Sequence, residues 1–384
     1  MKRLNLYYVT NRNPIGNNLE KPDDYGIVFG DNKSQNLRFG KLTATINEEE
    51  VSRHLKDKVD CSNGYGTNIR GCIEKSIGDF NNIDIQPYPE NITDNEFGSK
   101  TMFDELKQKM QEKSDVLVYI HGYNNSWIES VASALSLQLM INQPTANIEK
   151  NIIVVLFTWP SNGVMLDYND DYHDAKVSNL AFARGLFKFR DYLSTIDKPC
   201  NQQVNLLCHS MGNFVLQEAF QHAEKNKEKF YFNHIFLCAP MLNLDCFEQE
   251  LEMKGLSKLA NKISIYYNDA DGVLALARSL LPEIDDKQLG IDGVQNIVII
   301  PDNIHQINCS NIIDTENIYY DDDDIEQENK FQSDHHAYYL NGLTNKDIRL
   351  SLLGFSSNHK KRNRKGRHCS NDWELVCPDK NQQE

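Results

Sequence analysis

Val204-Asn205-Leu206-Leu207-Cys208-His209-Ser210-Met211-Gly212-Asn213 decides how the rest of the chain is read. Val204 to Cys208 is a short apolar run of the kind that forms a strand buried on both faces. Helical spacing resumes at Gly212 and continues to Ala223, so strand and helix are joined by a very sharp turn. Such a turn forces its central residue, Ser210, into a strained backbone conformation. It also brings the positions two before and two after close to collision, so small residues are needed there. Gly is usual at both; here Cys208 takes the first place and Gly212 the second. The turn lifts the Ser210 hydroxyl above the sheet at a helix N-terminus, where the Met211 N–H can meet a developing oxyanion. A serine in this place can also be a plain N-cap, so the surrounding sequence has to arbitrate.

Outward from this stretch, short apolar runs recur at Val116–Ile120, Ile152–Phe157, His234–Leu237, Ile263–Tyr267 and Ile297–Ile300. Amphipathic segments lie between them: Ser126–Met140, Ser178–Leu193, Gly212–Ala223 and Val273–Leu280. Strand and helix alternating in this way predict right-handed crossovers and a parallel sheet covered by helices. Leu4–Val9 and Lys41–Ile46 alternate like strands of an antiparallel start, and Asp60 to Lys100 is polar and turn-rich. The expected organisation is one α/β domain over 1–355, with an irregular start over 1–100 and a core over 101–355. A basic tail follows over 356–384.

After the Val116–Ile120 strand comes His121-Gly122-Tyr123-Asn124-Asn125. A His-Gly turn here can supply a second oxyanion donor, the N–H of the residue after Gly, which is Tyr123. Gly122 lets the backbone approach a substrate closely. Trp159 in Trp159-Pro160-Ser161 is expected to shape the pocket, with His121 and Gly122 as further substrate contacts.

These residues resemble the α/β-hydrolase family catalogued as domain of unknown function nine hundred, found mainly in bacteria. The matching pieces are Tyr8-Val9-Thr10-Asn11-Arg12, Leu37-Arg38-Phe39-Gly40, His121-Gly122-Tyr123-Asn124-Asn125, Phe157-Thr158-Trp159-Pro160-Ser161 and Leu207-Cys208-His209-Ser210-Met211-Gly212-Asn213. Together they cover the body of the chain but not the tail. The resemblance implies an α/β-hydrolase fold with a mostly parallel sheet of about eight strands, and a serine hydrolase with a Ser–Asp–His triad.

The acid follows the serine and precedes the histidine in this fold. Ile263–Tyr267 is followed by Asn268-Asp269-Ala270-Asp271-Gly272-Val273-Leu274, and the family pattern selects Asp271, with Asp269 its close rival and Asp245 a distant third. Where the family usually has Asp after Pro, Ala239-Pro240-Met241 has methionine, which cannot serve as an acid. For the histidine, the family pattern of His, one residue, then two aromatics selects His336 in Ser333-Asp334-His335-His336-Ala337-Tyr338-Tyr339. On an extended loop neighbouring side chains point in opposite directions, so His335 is expected to face away. The expected reaction is cleavage of a carboxylic ester, a lipid ester among the candidates, through an acyl-enzyme on Ser210. The rival is a silent hydrolase fold used as an interaction module.

Composition sets the remaining bounds. The 384 residues carry 40 Lys and Arg against 55 Asp and Glu, a net of -15, which argues against general nucleic-acid binding. A mean hydropathy of -0.57 and the absence of a long apolar run exclude a polytopic membrane protein. Met1 to Asn18 lacks an apolar core, so no secretory signal is expected. Nine cysteines without paired spacing fit free thiols in a reducing cytoplasm. The last 29 residues hold seven basic and four acidic side chains, a net of +3. Lys360, Lys361, Arg362, Arg364, Lys365 and Arg367 read as a solvated cluster that could meet an anionic membrane or an acidic partner. Asp321–Asp324, and Asp167, Asp170, Asp171 and Asp174, read as solvated loops. No cofactor and no metal is expected, since the paired histidines lack ligands at suitable spacing.

Overall fold

The computed structural model describes residues 1–30, 33–56, 64–78, 81–88, 98–144, 150–163, 168–195, 202–225, 230–248, 252–280, 287–313 and 335–378. The chain opens with β1 (Lys2–Thr10), a hairpin of β2 (Arg12–Ile15) and β3 (Asp24–Phe29), and β4 (Arg38–Ile46). Helices α1 (Glu48–Lys56) and α2 (Gly64–Ile77), strand β5 (Ile83–Pro87) and helix α3 (Ser99–Gln111) follow. Then come β6 (Ser114–Ile120), α4 (Trp127–Ile141), β7 (Asn151–Thr158) and α5 (Tyr168–Ser194). Next are β8 (Val204–His209), α6 (Gly212–Lys225), β9 (Phe232–Cys238), β10 (Ala260–Tyr267) and α7 (Gly272–Leu280). The C-terminal part holds α8 (Leu289–Asp292), β11 (Ile304–Asn308), a helical stretch over 335–340 (α9), α10 (Gly342–Leu352), β12 (Arg364–Gly366) and β13 (Asp372–Leu375).

One sheet takes eleven strands in the order β12-β13-β11-β10-β9-β8-β6-β7-β1-β4-β5. The eight strands from β13 to β1 are parallel. At the edges the pairing is antiparallel: β12 with β13 on one side, β4 with β1 and β5 with β4 on the other. Every residue of β6 and β8 is buried, as their unbroken apolar runs require. From β6 the chain steps outward to β7, then returns across β6 to β8, so the order reverses between these strands. Open α/β sheets bind ligands in the crevice beyond the carboxyl ends of the strands at such a reversal. Ile120 lies beside Cys208 there, which sets His121-Gly122 next to His209-Ser210.

Three expectations about the elements are corrected. Ile297–Ile300 is a turn with Val298 78% and Ile299 59% exposed, and the strand is Ile304–Asn308 instead. Polar residues masked that strand in the sequence. They are buried because β13 pairs them: the Trp373 indole N–H donates to His305 Nδ1 at 3.1 Å, and the Gln306 amide to Asp372 at 2.9 Å. Second, the span 60–100 contains α2, β5 and the start of α3. Third, the basic tail is not a solvated appendage, because β12 and β13 complete the sheet. Arg362 Nε meets Asp347 Oδ1 at 2.8 Å and Arg364 Nη2 meets Oδ2 at 2.6 Å, with all three side chains fully buried. Tyr266 donates to the same carboxylate at 2.6 Å. Burial pushes the Asp347 carboxyl up, but the two guanidiniums outweigh it and hold it far below the usual range. Lys360, Lys361, Lys365 and Arg367 stay exposed.

Cys72, Cys208, Cys238, Cys246, Cys309 and Cys369 are free thiols, whereas Cys377 is disulfide-bonded. The all-thiol expectation therefore fails at Cys377. Among the described residues no helix is long and apolar enough to cross a membrane. Asp167 and Asp321–Asp324 lie outside the described residues.

Candidate active site

Ser210 sits between β8 and α6 with φ +52, in the left-handed region that a non-glycine residue adopts at a cost of about 1–2 kcal/mol. Hydrogen bonds hold it there. The Ser210 N–H donates to the Cys238 carbonyl at 2.9 Å, and the Asn213 N–H returns to the Ser210 carbonyl at 3.0 Å. The Asn213 side-chain amide adds bonds to the Ser210, Cys238 and Cys208 carbonyls at 2.9, 3.2 and 3.3 Å. A Cβ on Gly212 would lie 2.6 Å from the His121 carbonyl oxygen, so only glycine lets the helix start this close to the end of β6. Cys208 is fully buried, and burial pushes its thiol well above its ordinary pKa.

The turn after β6 packs directly on this serine. A Cβ on Gly122 would stand 2.8 Å from the Ser210 Cβ. Beneath the turn, His121 and Trp159 are both fully buried and stack with ring centroids 5.1 Å apart. The Trp159 indole N–H donates to the His121 carbonyl at 3.2 Å, and the Trp159 backbone N–H to His121 Nε2 at 3.2 Å. His121 Nδ1 therefore carries the proton and donates to the Gly122 carbonyl at 2.7 Å. Burial first, then the charge of Arg12, lowers the His121 pKa to about 3, so the ring is neutral. Rather than lining an open pocket, this pair wedges the ends of β6 and β7 together.

On the other side of Ser210, Asp271 caps α7, its Oδ1 accepting from the Leu274 N–H at 2.9 Å. Its Oδ2 accepts from His335 Nδ1 at 2.8 Å and from the Tyr338 hydroxyl at 2.7 Å. Burial raises the Asp271 carboxyl, but the charge that His335 carries when protonated and these hydrogen bonds outweigh it, leaving the pKa below its ordinary value. Asp269 is exposed, with its backbone N–H on Ser310, and does not join the cluster.

The histidine brought to Asp271 is His335, not His336, because residues 335–340 are helical rather than extended. Residues three apart share a helix face, so His335 and Tyr338 reach Asp271 together. His336 turns toward His209 and Tyr339, with ring centroids 5.0 and 6.1 Å away. His209 donates from Nε2 to the His335 carbonyl at 2.8 Å, tying the start of this helix to the end of β8. His335 Nε2 is buried and has no hydrogen-bond partner among the described residues.

Sequence reasoning missed two further residues. Asp171, read as part of a solvated loop, is fully buried in the first turn of α5. Arg12, seen only as part of a motif, is also fully buried. An acidic residue early in a long helix after Trp159-Pro160-Ser161 was the available signal for the first. Met241, which cannot serve as an acid, accepts from the Tyr168 hydroxyl through its thioether at 2.6 Å. Among the described residues no three His, Cys, Asp or Glu side chains converge as a metal site.

A family model described as "Alpha/beta hydrolase of unknown function (DUF900)" matches residues 96–297, more than half of the chain. That span contains Ser210 and Asp271 and stops short of His335. The chain is also similar to "Uncharacterized protein alr1448" of Nostoc sp., 26% identical in a 159-residue alignment that covers 35% of this chain and 40% of that protein. It therefore spans well under half the length of that relative. Among solved structures it is similar to a hyperthermophilic esterase from the archaeon Pyrobaculum calidifontis, at 13% identity and a TM-score of 0.29 over 62% of this chain and 74% of that one. Aspergillus fumigatus lipase B matches at 10% identity and a TM-score of 0.27 over 51% of this chain and 44% of that one. On the family match over residues 96–297, the chain belongs to the α/β-hydrolase family of unknown function.

Proposed function

We propose that the protein is a serine hydrolase that cleaves a carboxylic ester through an acyl-enzyme. The observations that support this are the 2.8 Å contact between His335 Nδ1 and Asp271 Oδ2 and a serine held at φ +52 on a strand-to-helix turn. With Nδ1–H held by the carboxylate, Nε2 is the basic nitrogen that takes the Ser210 proton as Oγ attacks the acyl carbon. The N–H groups of Tyr123 and Met211 stabilise the oxyanion. Collapse expels the alcohol, protonated by His335. Water, deprotonated by the same ring, then attacks the acyl-enzyme and frees Ser210.

A panel of p-nitrophenyl esters of graded chain length tests activity and pocket depth together. Turnover is expected for at least one ester, with longer chains favoured if the substrate is a lipid ester. Ser210→Ala should lower kcat by about a thousandfold or more, because nucleophile and base act as a unit. Residual activity within about tenfold of wild type would refute the serine mechanism.

A further inference from the structure

We propose that Asp171 is the positioning residue of the oxyanion turn: one buried carboxylate clamps the turn after β6, which packs on Ser210, to the segment after β7 and so keeps the Tyr123 N–H on aim. This rests on the serine-hydrolase mechanism above and assigns a role to motif residues that the mechanism itself does not use.

Asp171 Oδ2 accepts from the Asn124 N–H at 2.9 Å and from the Ser161 hydroxyl at 2.5 Å, while Oδ1 accepts from the Asn162 N–H at 2.7 Å. Ser161 passes the restraint on, since its Oγ accepts from the Asn125 N–H at 2.9 Å. Three consecutive residues after Gly122 are thus fixed: Asn124 and Asn125 through their N–H groups, and Tyr123 through its carbonyl, which takes the Asn125 side-chain amide at 2.7 Å. Asn124 sits at φ +54, a conformation that Asn tolerates but does not hold unaided.

From the opposite side Arg12 donates to the Asn125 carbonyl at 2.6 Å, the Ser161 carbonyl at 3.2 Å, the Gly26 carbonyl at 3.1 Å and Thr158 Oγ1 at 2.9 Å. Burial lowers the Arg12 pKa to about 10, and Asp171 is foremost among the carboxylates that oppose this. Their opposite charges act on each other across the turn itself. A cation alone would fix carbonyls and an anion alone would fix N–H groups; together they restrain both edges of the loop. Oxyanion donors act only when held at the position the charge will occupy, and misplacement by about 1 Å can cost about a hundredfold in rate.

Ser161→Ala is the discriminating variant, because it removes one arm of the clamp yet leaves the carboxylate opposite Arg12 and so preserves folding. On the best p-nitrophenyl ester, kcat should fall by about 10- to 100-fold with KM within about threefold, as expected when a transition-state interaction is lost. Amide hydrogen exchange at Asn124 and Asn125 should accelerate by about tenfold or more, with α4 amides unchanged. Asp171→Asn should exaggerate both effects. Unchanged exchange in the turn, or a raised KM at full kcat, would overturn the clamp. If the wild-type protein turns over no ester, the proposed function fails, and exchange in the turn still decides the clamp.

Discussion

His335 and Tyr338 lie one helical turn apart and share a single oxygen of Asp271. That geometry makes the choice between adjacent histidines depend on backbone conformation. An extended loop would have paired His336 with the following aromatics; a helix pairs His335 with Tyr338 and His336 with Tyr339. The residues alone are equally compatible with both, so the turn at Ser210 and the aspartate after β10 were legible in the sequence, whereas the histidine that meets that aspartate was not. His335→Ala should therefore match Ser210→Ala in severity, and the double variant should be no worse than either. His336→Ala should stay within about tenfold of wild type, a loss attributable to packing against His209. Steady-state kinetics on one ester checks this, and a dead His336→Ala beside an active His335→Ala would restore the sequence-based choice. Because the Asp271 carboxyl is held below its ordinary value, it stays ionised at neutral and mildly acidic pH, and acid inactivation in that range does not come from this group.

Elements built from unbroken apolar runs were legible, whereas those whose polar residues find distant partners were not. β6 and β8 announce themselves, while β11 hides behind His305 and Gln306, whose partners lie on β13 and, for the Gln306 side-chain oxygen, at the Val294 N–H. The same holds for the C-terminal arginines: counting charges cannot show that two of them meet a buried aspartate on α10. Asp347→Asn leaves Arg362 and Arg364 buried without their anion, and should cost about 3–5 kcal/mol, read as a lower urea midpoint. Deleting 356–384 should destabilise comparably, since it strips the arginines from Asp347 and exposes the edge of β11. An unchanged midpoint in both would contradict the paired-charge account. The sign with pH follows from the depressed carboxyl: this stabilisation is complete above about pH 4, the unfolded value, and declines as pH falls from there toward the folded one.

For the molecule as a whole, alternation of strand and helix led to a parallel sheet, but the reversal of strand order between β6 and β8 is a property of the assembled sheet. That reversal gathers the turn at Gly122, the elbow at Ser210, the acid after β10 and the histidine of α9 from four separate parts of the chain. The central claim is that this convergence activates Ser210 as a nucleophile. It is tested most directly by reacting the folded protein with a fluorophosphonate and mapping the adduct by mass spectrometry. The account predicts one adduct per chain on Ser210, absent in Ser210→Ala and strongly slowed in His335→Ala. No adduct on the folded protein, or one on another residue that persists in Ser210→Ala, would contradict it.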